Sequence, residues 1–118
     1  MGQSTDAILV WGFDIGDAEE LPEEVAKRID HLLDEGYDEL ESLQRLHGVE
    51  LVQHCSGSCP HYIVGIEATK TVAWRGHPKT ITSLDLPGKT CQAALDAFAQ
   101  AIGVEAKPGA WLLASDWS

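Results

Sequence analysis

Two histidines and two cysteines fall within VQHCSGSCPHY, residues 52 to 62, the densest set of chemistry-bearing side chains in the sequence. Thiolate and imidazole are the ligand types that zinc gathers into a tetrahedron. Cys55 and Cys59 stand in C-x3-C spacing, with His54 and His61 outside them. On a strand, however, His54 and Cys55 point to opposite faces. That leaves Cys55, Cys59 and His61 as at most three convergent ligands, with His77 from a later turn as a candidate fourth. A redox pair would show C-x-x-C at a helix N-terminus, where the dipole lowers a thiol pKa. Nucleophilic catalysis by Cys55 or Cys59 with His61 lacks an identifiable third group to orient the base. The plain alternative is a hairpin connection, in which Ser56-Gly57-Ser58 turns, Pro60 keeps Cys59 extended and the thiols fill space. The hairpin is the expected reading. A zinc or thiol site at Cys55, Cys59 and His61 is the alternative.

Other candidate chemistry fails on spacing. SLDLPGKT, residues 83 to 90, ends in Gly-Lys-Thr before a helix, but a P-loop needs glycine where Ser83 stands, and Pro87 removes an amide from the cradle. The acidic stretch lacks the glycine and twelfth-position acid of a calcium loop. Lys70, Arg75, His77 and Lys79 form the one basic cluster, around a turn. It suits a small anion or the acidic helices of a second copy, and most simply a solvated turn. Trp11, Trp74 and Trp111 are expected to share an aromatic core, with Trp117 the exposed anchor.

Charge is placed unevenly. The formal net charge is −11. Residues 1 to 50 hold 14 of the 19 acids against Lys27, Arg28 and Arg45, so the remainder of the chain is neutral. Phosphate binding runs on Lys and Arg, so direct nucleic-acid binding is not expected. An anionic face can instead steer toward a basic partner. The candidate residues are Asp17, Glu19, Glu20, Glu23, Glu24, Asp30, Asp34 and Glu35.

A length of 118 residues, with 44% hydrophobic and 23% charged, suits one globular domain. No apolar run reaches the roughly 18 to 20 residues of a membrane span. No basic residue precedes the apolar stretch of MGQSTDAILVWG, so it does not read as a secretory signal. An intracellular protein with three unpaired cysteines is the expectation.

The positioning elements follow from periodicity. AILVWGFDI, residues 7 to 15, is a strand apolar on both faces at its start. From Val25 a 3.6-residue apolar stripe runs through Ile29, Leu32, Leu33, Leu40, Leu43 and Leu46. It fits two helices breaking at Gly36-Tyr37 slightly better than one, with Gly48 as the stop. VELVQHC is a second strand, and YIVGIEATKTVAW is either one bent strand or a hairpin turning near Thr69-Lys70. A helix from Gly88 to Gly103 and a closing strand AWLLASDW complete the order. That order predicts an α+β ferredoxin-like βαββαβ fold, an antiparallel sheet with its helices packed on one face. Its other face, carrying Ile8, Val10, Leu112 and Ala114, would stand open, and covering it predicts a homodimer.

The blocks AILVWGFDIG, GVELVQHCSG, AWRGHPKTI and WLLASDW resemble a family of small proteins in the genomes of tailed phages, particularly those of actinobacteria. The resemblance covers most of the chain apart from the acidic helical stretch. It implies a protein made in the host cytoplasm during infection, and it carries no activity or catalytic residue with it.

The expected function is therefore non-enzymatic binding of a host or phage protein, through the acidic helical surface or the open sheet face. Its sharpest form is DNA mimicry that blocks a host function. The alternatives are the zinc or thiol module above, and an oligomer that traps a small nucleotide at its interface.

Overall fold

The computed structural model describes residues 5–17, 20–56, 59–74, 76–82, 84 and 88–117. In chain order they form β1 (Thr5–Asp17), α1 (Glu23–Leu33), α2 (Tyr37–His47), β2 (Val49–Ser56), β3 (Cys59–Ile66), β4 (Thr71–Ala73), α3 (Lys89–Ile102) and β5 (Ala110–Trp117). The class is mixed α+β, with a five-stranded sheet and three helices.

β1 organises the sheet. β5 runs antiparallel along its first half, from Thr5↔Trp117 to Gly12↔Ala110. β3 takes the second half on the opposite edge, from Gly12↔Gly65 to Asp17↔His61, and β4 resumes that line at Leu9↔Thr71. YIVGIEATKTVAW is thus a bent strand rather than a hairpin, interrupted by a 3-10 turn at Glu67–Thr69. The Thr69 hydroxyl pins that interruption: it accepts the Trp11 N–H at 3.0 Å and donates to the Ile66 carbonyl at 2.7 Å. β2 pairs along its length with β3 and meets β5 in one parallel bridge, Cys55↔Asp116.

These pairings change the expected four-strand plan in two ways: β4 is added, and the sheet contains a parallel contact where two edges meet. The acidic stretch is two helices, as the break at Gly36-Tyr37 predicts. The helices separate around Gly36, whose N–H bonds the His31 carbonyl at 2.7 Å. A Cβ at Gly36 would lie 3.0 Å from the His31 ring, so a larger residue could not sit there without shifting it. α2 stops at Gly48, which has a left-handed φ of 66°.

The larger correction concerns the face expected to stand open. The helices pack on one sheet face, where Ile29, Leu32, Leu40, Leu95 and Phe98 meet Trp11, Phe13, Leu51 and Val64. The opposite face is also buried, within the same chain. Ile8, Val10, Val52 and Ile63 form a second cluster with Val72, Leu112 and Ala114 packed against it. Val10 is 0% exposed and Ile8 5%. The sheet curls until β5 reaches β2, and the concave side closes on its own side chains. The apolar face that motivated a homodimer is already covered.

The aromatic expectation holds in part. Trp11 and Trp111 are cross-strand partners packed into the helix-side core. Trp74 is 62% exposed and does not join them. The Trp117 side chain lies outside the described residues. Leu46 is also 75% exposed despite its place on the apolar stripe.

Candidate functional site

The β2–β3 hairpin does form, and its register decides which side chains of the opening motif meet. His54 stands opposite His61, and Cys55 opposite Pro60. The imidazole centroids are 5.6 Å apart and tilted by 54°. Alternation therefore starts Cys55 and His61 from opposite faces. The Cys59 side chain lies outside the described residues, and His77 lines a separate hollow with Asp6 and Trp74. Among the described residues no three His, Cys, Asp or Glu side chains stand close enough to hold one metal ion.

The group that does assemble centres on His54, which strand alternation had separated from the cysteines. Asp14 from β1, His61 from β3 and Asp116 from β5 all act on it electrostatically. Its Nε2 is buried without a hydrogen-bond partner. Next to it, Cys55 adopts a φ of 74°, left-handed backbone that non-glycine residues seldom take. Cys55 and Cys91 are free thiols. A sequence signal for the histidine pair exists: His54 and His61 are equidistant from Gly57-Ser58 in the chain, as are Val52 and Ile63.

Burial holds the His54 imidazole below the ordinary histidine value, and the nearby His61 pushes the same way. Asp14, Asp116 and the Ser115 backbone pull in the other direction without overcoming it. Its folded pKa thus lies below its unfolded one, so the unfolded chain binds the extra proton first. Stability from His54 is full above the unfolded value and is lost as pH falls through the folded value. Urea midpoints taken at pH 7.5 and 5.5 are expected to drop on acidification, and His54→Gln is expected to flatten that drop. An unchanged pH slope in the variant would remove His54 from the account.

Of the acidic candidates, Glu23, Glu24 and Asp30 stand on α1, and Asp34 and Glu35 follow it in the link to α2. Glu20, Glu23, Glu24, Asp30, Asp34 and Glu35 are exposed, whereas Asp17 is half-buried at the end of β1. Glu19 lies outside the described residues. α1 and α2 bury Ile29, Leu32 and Leu40 beneath them, so their carboxylates occupy the outer faces. The three cations of this region are engaged within it: Lys27 with Glu23 at 3.0 Å, Arg28 with Glu39 at 2.8 Å and Arg45 with Glu41 at 2.8 Å. The Arg28 guanidinium bridges the helices and holds the Glu39 carboxyl below its usual range. Among the described residues, Glu24, Asp30, Asp34 and Asp38 carry no ion pair.

The basic turn is less of a cluster than its sequence suggests. Lys70 is bound to both Glu50 oxygens, at 2.9 and 2.6 Å. Arg75 lies outside the described residues. Lys79 lines a small apolar hollow with Leu9, Ile81 and Leu113. In the Gly-Lys-Thr stretch, Gly88 caps α3 and Lys89 begins it, while Ser83 and Pro87 lie outside the described residues. No helix among the described residues is long and apolar enough to cross a membrane. Comparison of the chain with protein-family models, characterised proteins and solved structures returns no match.

Proposed function

We propose that the chain acts by binding rather than by catalysis, presenting the outer face of α1 and α2 to a basic site on a protein partner. The observation that carries this reading is the internal engagement of Lys27, Arg28 and Arg45. Each is paired with a carboxylate of the same two helices, and among the described residues Glu24, Asp30, Asp34 and Asp38 are left without an ion pair. A field of one sign on a rigid helix pair speeds encounter with an oppositely charged surface. Carboxylates spaced along helices can occupy a site built for phosphates, which is the DNA-mimic form of the idea. The resemblance to small phage proteins supplies the setting, a host cytoplasm during infection with a host or phage protein as the partner. For the architecture, we read β5, β1, β3 and β2 with their helical crossovers as an elaborated ferredoxin-like sheet; the antiparallel run β5–β1–β3–β2 supports it.

Charge reversal at Glu23, Glu24, Asp30 and Asp34 to lysine tests the reading. Capture of a host protein by the wild-type chain is expected to weaken about a hundredfold in the variant and to fall steeply with salt. Retention of the same partner by a folded variant would end the acidic-surface reading.

A further inference from the structure

β2 is a strand with one bare edge. It pairs with β3 along its full length, but on its other side, toward β5, the one ladder pairing is the Cys55↔Asp116 bridge. Among the described residues no strand is hydrogen-bonded to that side from Val49 to Gln53. The Leu51 N–H points there, because it is satisfied by the Gln44 side chain of α2, at 2.9 Å. A side chain is filling the place of a neighbouring strand.

A groove of about 500 Å³ lies at this edge. Its lining includes Tyr37, Glu41, Gln44, Glu50, Leu51 and Glu67. Glu50 and Leu51 are consecutive on β2, so their side chains leave on opposite faces of the sheet. Both line one groove together with Tyr37, Glu41 and Gln44, which places it between α2 and β2, beside the Leu51 N–H that Gln44 caps. Its charge is chiefly acidic: three carboxylates line it against Arg45 alone. Arg45 is mostly exposed and paired with Glu41, a contact that solvent and salt weaken. Lys70 sits behind Glu50 and neutralises it, leaving Glu67 and the neighbouring helix acids to set the sign.

We propose that this groove takes an extended, basic segment of a partner protein, which adds to β2 as a strand. The partner's backbone replaces Gln44 at the Leu51 N–H, and its Lys or Arg side chains meet Glu41 and Glu67. Strand addition explains why an edge bordered by acids is capped by one flexible amide instead of a helix or a proline. A second copy of this chain is a poorer occupant, because it would bring the same carboxylates to the same groove. The bridge at Cys55 limits the added strand to the span from Val49 to Gln53. The proposal rests on the binding function above and names its seat and ligand.

The test uses the full chain and an acetylated Lys-Val-Lys-Val-Arg-Val peptide, followed by amide NMR. Binding is expected to shift the Leu51 and Gln53 amides and slow their exchange. Methylating alternate peptide nitrogens removes the ladder bonds and is expected to weaken binding about tenfold or more. Glu67→Lys is expected to weaken it likewise, and Gln44→Ala, which uncovers the Leu51 amide, to strengthen it. Binding that survives N-methylation and maps to the outer faces of α1 and α2 would overturn the groove while leaving the acidic-surface reading intact. Absence of any shift at Leu51 and Gln53 overturns it outright. So would concentration-dependent shifts at those amides without peptide, which would assign the edge to a second copy.

Discussion

An alanine at position 12 is expected to unseat the curled sheet. Gly12 is paired on both sides, with Gly65 of β3 and Ala110 of β5. A Cβ there would fall on the Val64 carbonyl oxygen and lie 2.7 Å from the Gly65 Cα. Both are backbone, so no rotamer change makes room, and β1 and β3 must separate. Overpacking commonly costs 1–3 kcal/mol, and a clash with backbone belongs at or above the upper end, about 3 kcal/mol. The loss should appear as a lower urea midpoint together with new dye binding, as Ile8 and Val10 come within reach of water. A Gly12→Ala protein that melts with the wild type would mean that the close approach of β1 and β3 is not required.

Truncating Phe98 should cost as much on the other side of the sheet. Its side chain is 0% exposed on α3, among the largest wholly buried groups, and it meets the His47 ring edge-on at 6.3 Å. It therefore ties α3 to the end of α2 as well as to the strands below. Phe98→Ala removes a ring from a site with helices and sheet fixed around it, and is expected to lose about 3–5 kcal/mol. Domains of ordinary stability have about 5–15 kcal/mol in all, so the variant should be partly unfolded at physiological temperature. Phe98→Leu keeps most of the volume and should lose about 1 kcal/mol. Thermal melts of the two variants separate a packing role from a general intolerance at the position.

Local pattern made much of this fold legible. The alternation in AILVWGFDI, the 3.6-residue stripe from Val25 and the glycines bounding residues 88 to 103 located β1, the helical region and α3. What they could not convey was curvature. Gly12 and Gly65 look like separate interruptions in apolar strands, and only their pairing lets β1 and β3 approach closely. Without that pairing, Ile8 and Val10 appeared to need a partner molecule. Trp74 followed the apolar strand pattern but stands past the edge that the helices cover. At the hairpin, separating His54 from Cys55 was sound, but discarding His54 was not, because the cross-strand neighbour of a histidine was another histidine. The acids of residues 20 to 41 were easiest to place, since an amphipathic helix with a buried Ile29–Leu32 stripe leaves its carboxylates nowhere else to go.

The antiparallel pairing of β1 with β5 also fixes an order of events during synthesis. β1 is made well before its partner: Ile8 waits for Ala114, roughly a hundred positions later, to complete its pairing. At the usual 5–20 residues per second that wait lasts several seconds or more. Through it, β1 can pair with β3 and β4 while its other edge stands without a strand. Contacts this distant in sequence also form slowly once the chain is complete.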